Sequence, residues 1–506
     1  MRGSGLILGW ETGEPPVFGF SAGQSPPAGK NPIRFNGDGP LCCVAPTGSG
    51  KGRDFLIPIL LTYPGPVVVL DPKGELSAVC GRARQAMGHR VGVLDPFGVT
   101  GRVSDRLNPF DLFLLPGSLL ECDAEMLAAQ FGEGHGVEKD PFWSDTATGI
   151  NAGLIAYIAS AKSAGERNLT ALRSFLHDAD LSYELAKLLD KGEGLTPFVR
   201  EEFAAFLQHS AEKTRESVLS TATTFVKALG SEPVAKCLED STIALADIVA
   251  GKPLDVFITV PPEKLKSHRA LIRLWVGTLI TAVMRRKALP ERKTLFVLDE
   301  AAQLSTFDPL LTAATLLRGY GLQLITVWQD LAQMKARYPQ DWATILNNSA
   351  ALLAFGFGHY GAAKEYAEVL GIEPRELAGL KNDEAVLAMR GEGTRKVGRL
   401  NYLKDELFAG MFDPNPYFER GPEIQPEEKA VDKPKTWVEK LERARQALRT
   451  SIAERKSRNP DDGDDRLFEA FIDMAEAIEE VGRLAQVPPI GKEKKPPRRK
   501  SEDREV

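Results

Sequence analysis

Residues 41–61, LCCVAPTGSGKGRDFLIPILL, limit what this chain can fold into more than any other stretch. A short apolar run enters a turn of small residues and glycines, and the turn passes directly into an apolar helical segment. A strand, a glycine-rich turn that carries a lysine, and a helix in this order are typical of a phosphate-binding loop. The alternative is an ordinary glycine-rich turn, which the position of the lysine makes the weaker interpretation.

The loop 45–52, APTGSGKG, departs from the usual pattern at both ends, with Ala45 in place of glycine and Gly52 in place of serine or threonine. The binding chemistry is retained. Gly48 and Gly50 allow the backbone to curl so that successive N–H groups face one anion. The helix that starts near Gly50 adds the positive end of its dipole, and Lys51 adds a point charge for the outer phosphates.

Two further features complete the predicted ATP and Mg²⁺ contacts. The hydroxyl missing at position 52 normally binds Mg²⁺, so we expect Thr47, Ser49 or a water to replace it. Residues 66–70, PVVVL, have the pattern of a strand buried on both faces, and ligand-binding groups follow such strands in open α/β sheets. The residues predicted to bind ATP are Thr47, Gly48, Ser49, Gly50, Lys51, Gly52, Asp71 and Lys73. For Lys73 and the neighbouring Glu75, charges that merely solvate a turn remain the alternative.

A second apolar strand, within KTLFVLDEAAQL at 293–304, ends in Asp299 and Glu300. The first acid is placed to reach Mg²⁺ directly or through water, and the second to polarise an attacking water as a general base. Many strands end in acids, so the motif is weak by itself. Together with Lys51 it indicates a site that hydrolyses ATP.

One more buried strand is predicted within LRGYGLQLITVWQ at 317–329, with Arg318 before it and Gln329 after it. Gln329 follows the strand on the side of the acids, where it is placed to sense the terminal phosphate or to orient water. Arg318 precedes the strand and so lies at the opposite edge of the sheet from its own nucleotide. In a ring of subunits it is placed to face the nucleotide of a neighbour; the alternative is a surface ion pair.

Composition places the chain among soluble globular proteins and favours the cytoplasm. Its 506 residues carry a formal net charge of −6, so any surface for nucleic acid must be local. The five cysteines include no CxxC pair, which is typical of reduced thiols. No apolar run reaches the roughly 18–20 residues of a membrane helix, and the N-terminus lacks a signal-peptide pattern.

The patterns predict four regions. Residues 1–40 form an N-terminal segment of a strand or two with loops, and residues 41–111 and 246–420 form an α/β nucleotide-binding domain. Between its halves, residues 112–245 show helical periodicity with almost no strand signal, which predicts an inserted all-helical domain. Residues 421–506 form a charged tail with two helices, either packed on the core as a solvated appendage or used to dock partner proteins.

Together these motifs resemble the TraG-type coupling proteins, the ATPases that recruit substrates to type IV secretion machines in conjugation. The resemblance runs from about residue 32 to residue 418. It is carried by strings in the expected order: APTGSGKG, VVLDPKGEL, LNPFDL, DPFWSDTA, LDEAAQL, RGYGLQLITVWQDLAQM and FDPNPYF. Family members usually begin with membrane-spanning helices, whereas the loop here starts at residue 45. We therefore expect either a truncated soluble part or a variant anchored through partners.

The resemblance implies a hexameric motor with a RecA-like P-loop NTPase core, a mainly parallel sheet and a helical domain at the channel mouth. It assigns phosphate binding to Lys51, Mg²⁺ to Asp299, water activation to Glu300, a trans-acting arginine to Arg318 and γ-phosphate sensing to Gln329. The implied cargo is relaxase-bound single-stranded DNA or an effector protein, delivered to the secretion machinery at the cytoplasmic face of the inner membrane. DNA contact is expected to be non-specific, with single- or double-stranded DNA.

Two alternatives remain at this point. One is a hexameric translocase that pumps chromosomal or phage DNA outside secretion, with the same core. The other is a docking platform without motor activity, in which nucleotide only stabilises assembly and the tail gathers effectors. ATPase activity that DNA stimulates distinguishes a DNA motor from an effector receptor.

Overall fold

The computed structural model describes residues 5–12, 31–132, 141–192, 194–209, 211–357 and 359–417. These belong to the first of two compact units, Met1–Arg420 and Gly421–Val506. The charged tail predicted at 421–506 therefore lies outside the described residues.

A single sheet organises the described residues, with its strands in the order β2-β1-β11-β10-β9-β3-β8-β7-β4-β6-β5. The strands are β1 (Leu6–Glu11), β2 (Pro32–Phe35), β3 (Leu41–Val44), β4 (Val67–Leu70), β5 (Arg90–Leu94), β6 (Leu254–Ile258), β7 (Thr294–Leu298), β8 (Leu322–Trp328), β9 (Ala351–Phe355), β10 (Glu384–Met389) and β11 (Gly393–Gly398). The seven strands from β9 to β5 are parallel, and the other four pair antiparallel. The predicted α/β fold with a mainly parallel sheet is confirmed.

Helices cover both faces of the sheet because its central strands are apolar on both sides. Alternate residues of β3 fall into two hydrophobic clusters, with Cys42 and Val44 in one and Leu41 and Cys43 in the other. The helices are α1 (Ile57–Thr62), α2 (Glu75–Ala86), α3 (Leu120–Gly132), α4 (Phe142–Ala161), α5 (Leu169–Leu176), α6 (Leu181–Lys191), α7 (Pro197–Gln208), α8 (Glu212–Val226), α9 (Glu232–Glu239), α10 (Leu245–Ala250), α11 (Arg269–Met284), α12 (Asp308–Thr315), α13 (Leu331–Arg337), α14 (Trp342–Asn348), α15 (Tyr360–Leu370) and α16 (Pro374–Ala378).

Helices α3 to α10 all lie between β5 and β6, and the described residues of this stretch contain no strand. Their apolar faces belong to the same hydrophobic cluster as α11, which is buried along nearly its whole length on one face of the sheet. This is the region of the predicted helical insert; its exact boundaries at 112 and 245 stay a prediction.

The structure differs from the sequence interpretation near the C-terminal strands. The apolar residues 385–389 predict the strand of a further α/β unit, but this strand, β10, pairs antiparallel with β11 and forms a hairpin, with Gly391 of the turn at positive φ. The strand expected within 317–329 begins only at Leu322, because Leu317–Tyr320 forms a 3₁₀ turn that ends at Gly321. Arg318 lies in this turn and therefore before the strand, as the sequence predicts.

Candidate functional site

The predicted motifs meet at the carboxyl edge of the parallel sheet because β3, β8, β7 and β4 are neighbours. The register pairs Val44 with Trp328, Thr326 with Leu298, and Leu298 with Leu70. The residues that follow these strands are Ala45, Gln329, Asp299 and Asp71, respectively. Four segments that are distant along the chain thus end side by side, as expected for a ligand site of an open α/β sheet.

Lys51 and the two acids form one compact charge cluster. The Lys51 Nζ lies 3.0 Å from Asp299 Oδ1 and 2.5 Å from Glu300 Oε1, and each side chain is about a fifth exposed. Burial lowers the pKa of Lys51, but the charges of Asp299 and Glu300 outweigh it and raise the pKa overall. Burial raises the pKa of Asp299, and Lys51 opposes that rise. The cluster holds a fixed positive charge between two acids.

Gln329, which follows the neighbouring strand β8, also binds Glu300. Its Nε2 donates to Glu300 Oε2 over 2.9 Å, and its own backbone N–H donates to Gln333 Oε1 over 3.1 Å. Glu300 adopts a left-handed backbone conformation with φ of 70°, which is unusual for a residue other than glycine. Such a conformation costs on the order of 1–3 kcal/mol and is concentrated at functional sites. The structure thus places Glu300 between Lys51 and Gln329.

The phosphate loop has the backbone that anion binding requires. Gly48 and Gly50 have φ of 77° and 89°, and the loop runs into a π-helical turn, Gly52–Leu56, ahead of α1. π-Helical turns within helices are frequent at functional sites. The Ser49 hydroxyl is buried and has no hydrogen-bond partner among the described residues, whereas Thr47 is exposed. Of the two candidates for the missing hydroxyl, Ser49 is therefore the buried one without a hydrogen-bond partner, and Thr47 faces solvent.

Asp71 and Lys73 are placed differently from the other predicted ATP contacts. The buried Asp71 accepts a hydrogen bond from the Ser77 backbone N–H over 2.8 Å and so binds the first turn of α2. Burial raises the pKa of Asp71 to about 7, against the backbone hydrogen bonds that lower it, and the nearby Asp299 adds to the rise. The Lys73 side chain is exposed. Nucleotide contact by these two residues stays a prediction.

Arg318 is exposed in the 3₁₀ turn before β8, at the edge of the sheet opposite Lys51. Its side chain makes no hydrogen bond or ion pair within the described part of the chain, so the alternative of a surface ion pair finds no partner there. The seven residues of β8 separate Arg318 from the acids of its own chain by roughly 20 Å, which is beyond the reach of an arginine side chain.

Several residues near the site were not identified from the sequence. Glu75, left open above, accepts a hydrogen bond from the buried Asn415 over 2.6 Å, and Tyr417 Oη donates to the Lys73 carbonyl over 2.8 Å. Asn415 and Tyr417 belong to the string FDPNPYF, which gave no indication of its partner. Arg399, discussed below, has no sequence signal at all.

The acids fit Mg²⁺ held jointly with a nucleotide and not within a cage of protein ligands. Within the residues described, no three His, Cys, Asp or Glu side chains are grouped to hold a metal ion. Mg²⁺ typically uses one or two carboxylates, waters and substrate phosphates, and Asp299 beside the loop supplies such a carboxylate.

The described residues include no helix long and apolar enough to span a membrane.

Comparison with known proteins gives a family match over most of the chain. A family model described as "Type IV secretory system Conjugative DNA transfer" matches residues 15–373. The type IV secretion system-coupling protein VirD4 of Bartonella quintana is 25% identical over 402 residues, which cover 71% of this chain and 62% of that protein. The conjugal transfer protein TraG of Agrobacterium fabrum is 30% identical over 322 residues, covering 61% of this chain and 48% of that protein. The chain thus spans about half to two thirds of these relatives.

Solved structures show the same fold. The bacterial conjugative coupling protein TrwBdeltaN70, in an unbound monoclinic form, superposes with a TM-score of 0.58 at 17% identity, covering 72% of this chain and 86% of that one. The plasmid coupling protein TrwB in complex with ADP and Mg²⁺ gives a TM-score of 0.55 at 17% identity, covering 71% and 84%.

Proposed function

Because the chain belongs to the type IV secretory system conjugative DNA transfer family, we propose that it is an ATP-hydrolysing coupling protein that recruits substrates and helps to move them into a type IV secretion channel. One observation carries the proposal. Lys51 of the phosphate loop lies within 3.0 Å of both Asp299 and Glu300, although about 250 residues separate them in the sequence. A lysine in an anion nest beside a pair of strand-end acids is the arrangement that nucleotide hydrolysis requires.

The residues divide the work of phosphoryl transfer to water. The loop amides and Lys51 hold the phosphates and stabilise the charge that develops in the transition state. Glu300 accepts the proton of the attacking water, and Gln329, bonded to the same carboxylate, orients that water or senses the terminal phosphate. The remaining loop residues, Thr47, Gly48, Ser49, Gly50 and Gly52, line the phosphates, with Asp71 and Lys73 at the next strand end.

Asp299 would hold Mg²⁺, and either the unpartnered Ser49 hydroxyl or a water would replace the hydroxyl that is missing at position 52. The cation, when bound, neutralises charge on the outer phosphates. Arg318 cannot reach the site of its own chain, so we assign it to the site of a neighbouring subunit in a homo-hexamer. A trans-acting arginine is worth about 10³–10⁵ in rate in phosphoryl-transfer enzymes.

The family and the names of the relatives support conjugative DNA transfer and a type IV secretion system as the setting. We propose that the chain acts on relaxase-bound single-stranded DNA or on effector proteins, together with the secretion machinery. We place it in the bacterial cytoplasm, at the inner face of the membrane. DNA contact should involve the backbone, without base readout, and should weaken steeply with salt.

The test is ATPase activity measured with and without single- or double-stranded DNA at two salt concentrations. We expect DNA-stimulated hydrolysis that Lys51→Ala reduces by at least about 10²-fold, because a preorganised charge is lost. Lys287→Ala, an exposed lysine remote from the loop, is the matched control. If Lys51→Ala hydrolyses ATP at the wild-type rate, the proposed site is rejected. Hydrolysis indifferent to DNA would reject the DNA motor and favour the effector receptor.

A further inference from the structure

Arg399, which directly follows β11, contacts the phosphate loop from the antiparallel part of the sheet. Its side chain is 6% exposed and donates hydrogen bonds to the Ser49 backbone carbonyl and to Asp54 Oδ2. Asp54 lies in the first turn after the loop and is itself 2% exposed. We propose that Arg399 is a positioning residue that sets the loop in its anion-binding conformation, a role that rests on the nucleotide binding proposed above.

The contact with the Ser49 carbonyl fixes the direction of a loop amide. In a planar trans peptide the C=O and the following N–H point in opposite directions. Because the Ser49 carbonyl faces Arg399, the Gly50 N–H faces away from Arg399. An anion nest depends on the direction of such successive amides, so this hydrogen bond fixes one of the donors before a phosphate arrives.

Arg399 is itself held on several sides. Its guanidinium lies 3.9 Å from the centre of the Phe355 ring at the end of β9, and its backbone N–H donates to the Asp383 carbonyl over 2.7 Å. Asp54 is bound in turn by Arg53, at 2.5 and 2.8 Å. A planar guanidinium stacked on a ring can serve two acceptors at once, which a lysine ammonium on a flexible stem does poorly.

The charges around Asp54 also suit a phosphate ligand. Two guanidinium groups face one carboxylate, which leaves an excess of positive charge beside the loop. Burial lowers the pKa of Arg399, and Asp54 counteracts this. The Arg399 Nε is buried and has no hydrogen-bond partner within the described residues. Burying a cation is costly unless an anion compensates; Asp54 can neutralise only one of the two guanidinium groups, and a phosphate bound by the loop would neutralise the other.

The experiment compares Arg399→Gln and Arg399→Lys with Arg395→Gln, a control on β11 whose partner is the exposed Glu392. We measure the Kd of a fluorescent ATP analogue, KM and kcat for ATP, and hydrogen exchange of residues 45–56. Arg399→Gln should raise Kd and KM by about tenfold or more, with kcat at saturation little changed, because the loop is no longer preset. Exchange in the loop should accelerate more than elsewhere. Arg399→Lys should give Kd, KM and loop exchange between those of the wild type and Arg399→Gln, and the Arg395→Gln control should match the wild type.

Wild-type Kd and wild-type loop exchange in Arg399→Gln would overturn the proposal, and so would faster exchange spread evenly over the chain. If Arg399→Gln does not fold, Arg399→Lys decides, and wild-type affinity in that variant rejects the role. Should the wild type itself fail to bind the analogue while Arg399→Gln still loosens the loop, the proposed function fails, and what stands is only that Arg399 holds the conformation of the loop.

Discussion

The Glu300 carboxylate contacts both Lys51 and Gln329, and the Glu300 backbone has a strained, left-handed conformation. Its φ of 70° aims the carboxylate between Lys51 and Gln329, which bind one oxygen each. A left-handed residue with a Cβ costs on the order of 1–3 kcal/mol, which surrounding contacts must offset. The sequence predicted the acid and its partner lysine but not this conformation, since positive φ is rare outside glycine, asparagine and aspartate.

Asp71 leads to a prediction about stability and pH. Its pKa is raised from 3.8 to about 7, so the folded state favours the protonated carboxyl. The contribution of Asp71 to the free energy of unfolding is therefore complete below about pH 4 and is lost as the pH rises through 7. Asp71→Asn removes this titration and keeps an acceptor for the Ser77 N–H. The free energy of unfolding of the variant, relative to the wild type, should therefore increase between pH 5 and pH 8, by up to about 3 kcal/mol.

Chemical unfolding of both proteins at several pH values measures this difference. Asp38→Asn, which alters an exposed acid, is the control and should give a curve parallel to the wild type. Parallel curves for Asp71→Asn as well would show that Asp71 titrates in its ordinary range.

At the scale of elements, the phosphate loop contains two glycines that both have positive φ but lie in different surroundings. A Cβ on Gly48 would meet nothing within 4 Å, whereas one on Gly50 would lie 2.8 Å from an Arg399 nitrogen and 3.0 Å from an Asp54 oxygen. Each alanine variant should lose about 1–2 kcal/mol through its positive φ. Gly50→Ala should lose more, and its Kd for ATP should exceed that of Gly48→Ala by about tenfold, because the contact with Arg399 is displaced.

Calorimetric titration with ATP and thermal unfolding check these two variants. Gly371→Ala is the control for strain alone, since Gly371 has φ of 67° and open surroundings at the end of α15. It should lose stability and keep its affinity. Equal affinities for Gly48→Ala and Gly50→Ala would mean that the crowding at Gly50 has no bearing on the nucleotide.

The elements that build the site could be predicted because their signals are local. Four apolar residues followed by an acid predict a strand and its functional end, as for β4 with Asp71 and β7 with Asp299. The hairpin of β10 and β11 was missed because the apolar residues of β10 suit a parallel or an antiparallel neighbour equally. Arg399 could not be predicted, since its partners Ser49 and Asp54 lie about 350 residues away and nothing near it marks the contact.

For the whole molecule, the decisive feature is that Arg318 and Glu300 lie at opposite edges of one sheet. In a ring with head-to-tail interfaces, the Arg318 edge of one subunit faces the Glu300 edge of the next. Arg318→Ala alone should lose turnover and keep nucleotide binding, and Glu300→Gln alone should do the same.

Mixed rings of these two inactive variants test whether the arginine acts across the interface. Where an Arg318→Ala subunit supplies the acid and a Glu300→Gln neighbour supplies the arginine, the site is complete. Equal, random mixing should therefore restore about a quarter of the wild-type rate per subunit, because half of the subunits carry the acid and half of their neighbours the arginine. A mixture of Glu300→Gln with Lys51→Ala, whose defects lie on the same side of the interface, should stay inactive. An arginine that acts within its own chain would leave both mixtures inactive, and the ring arrangement proposed here would have to be abandoned.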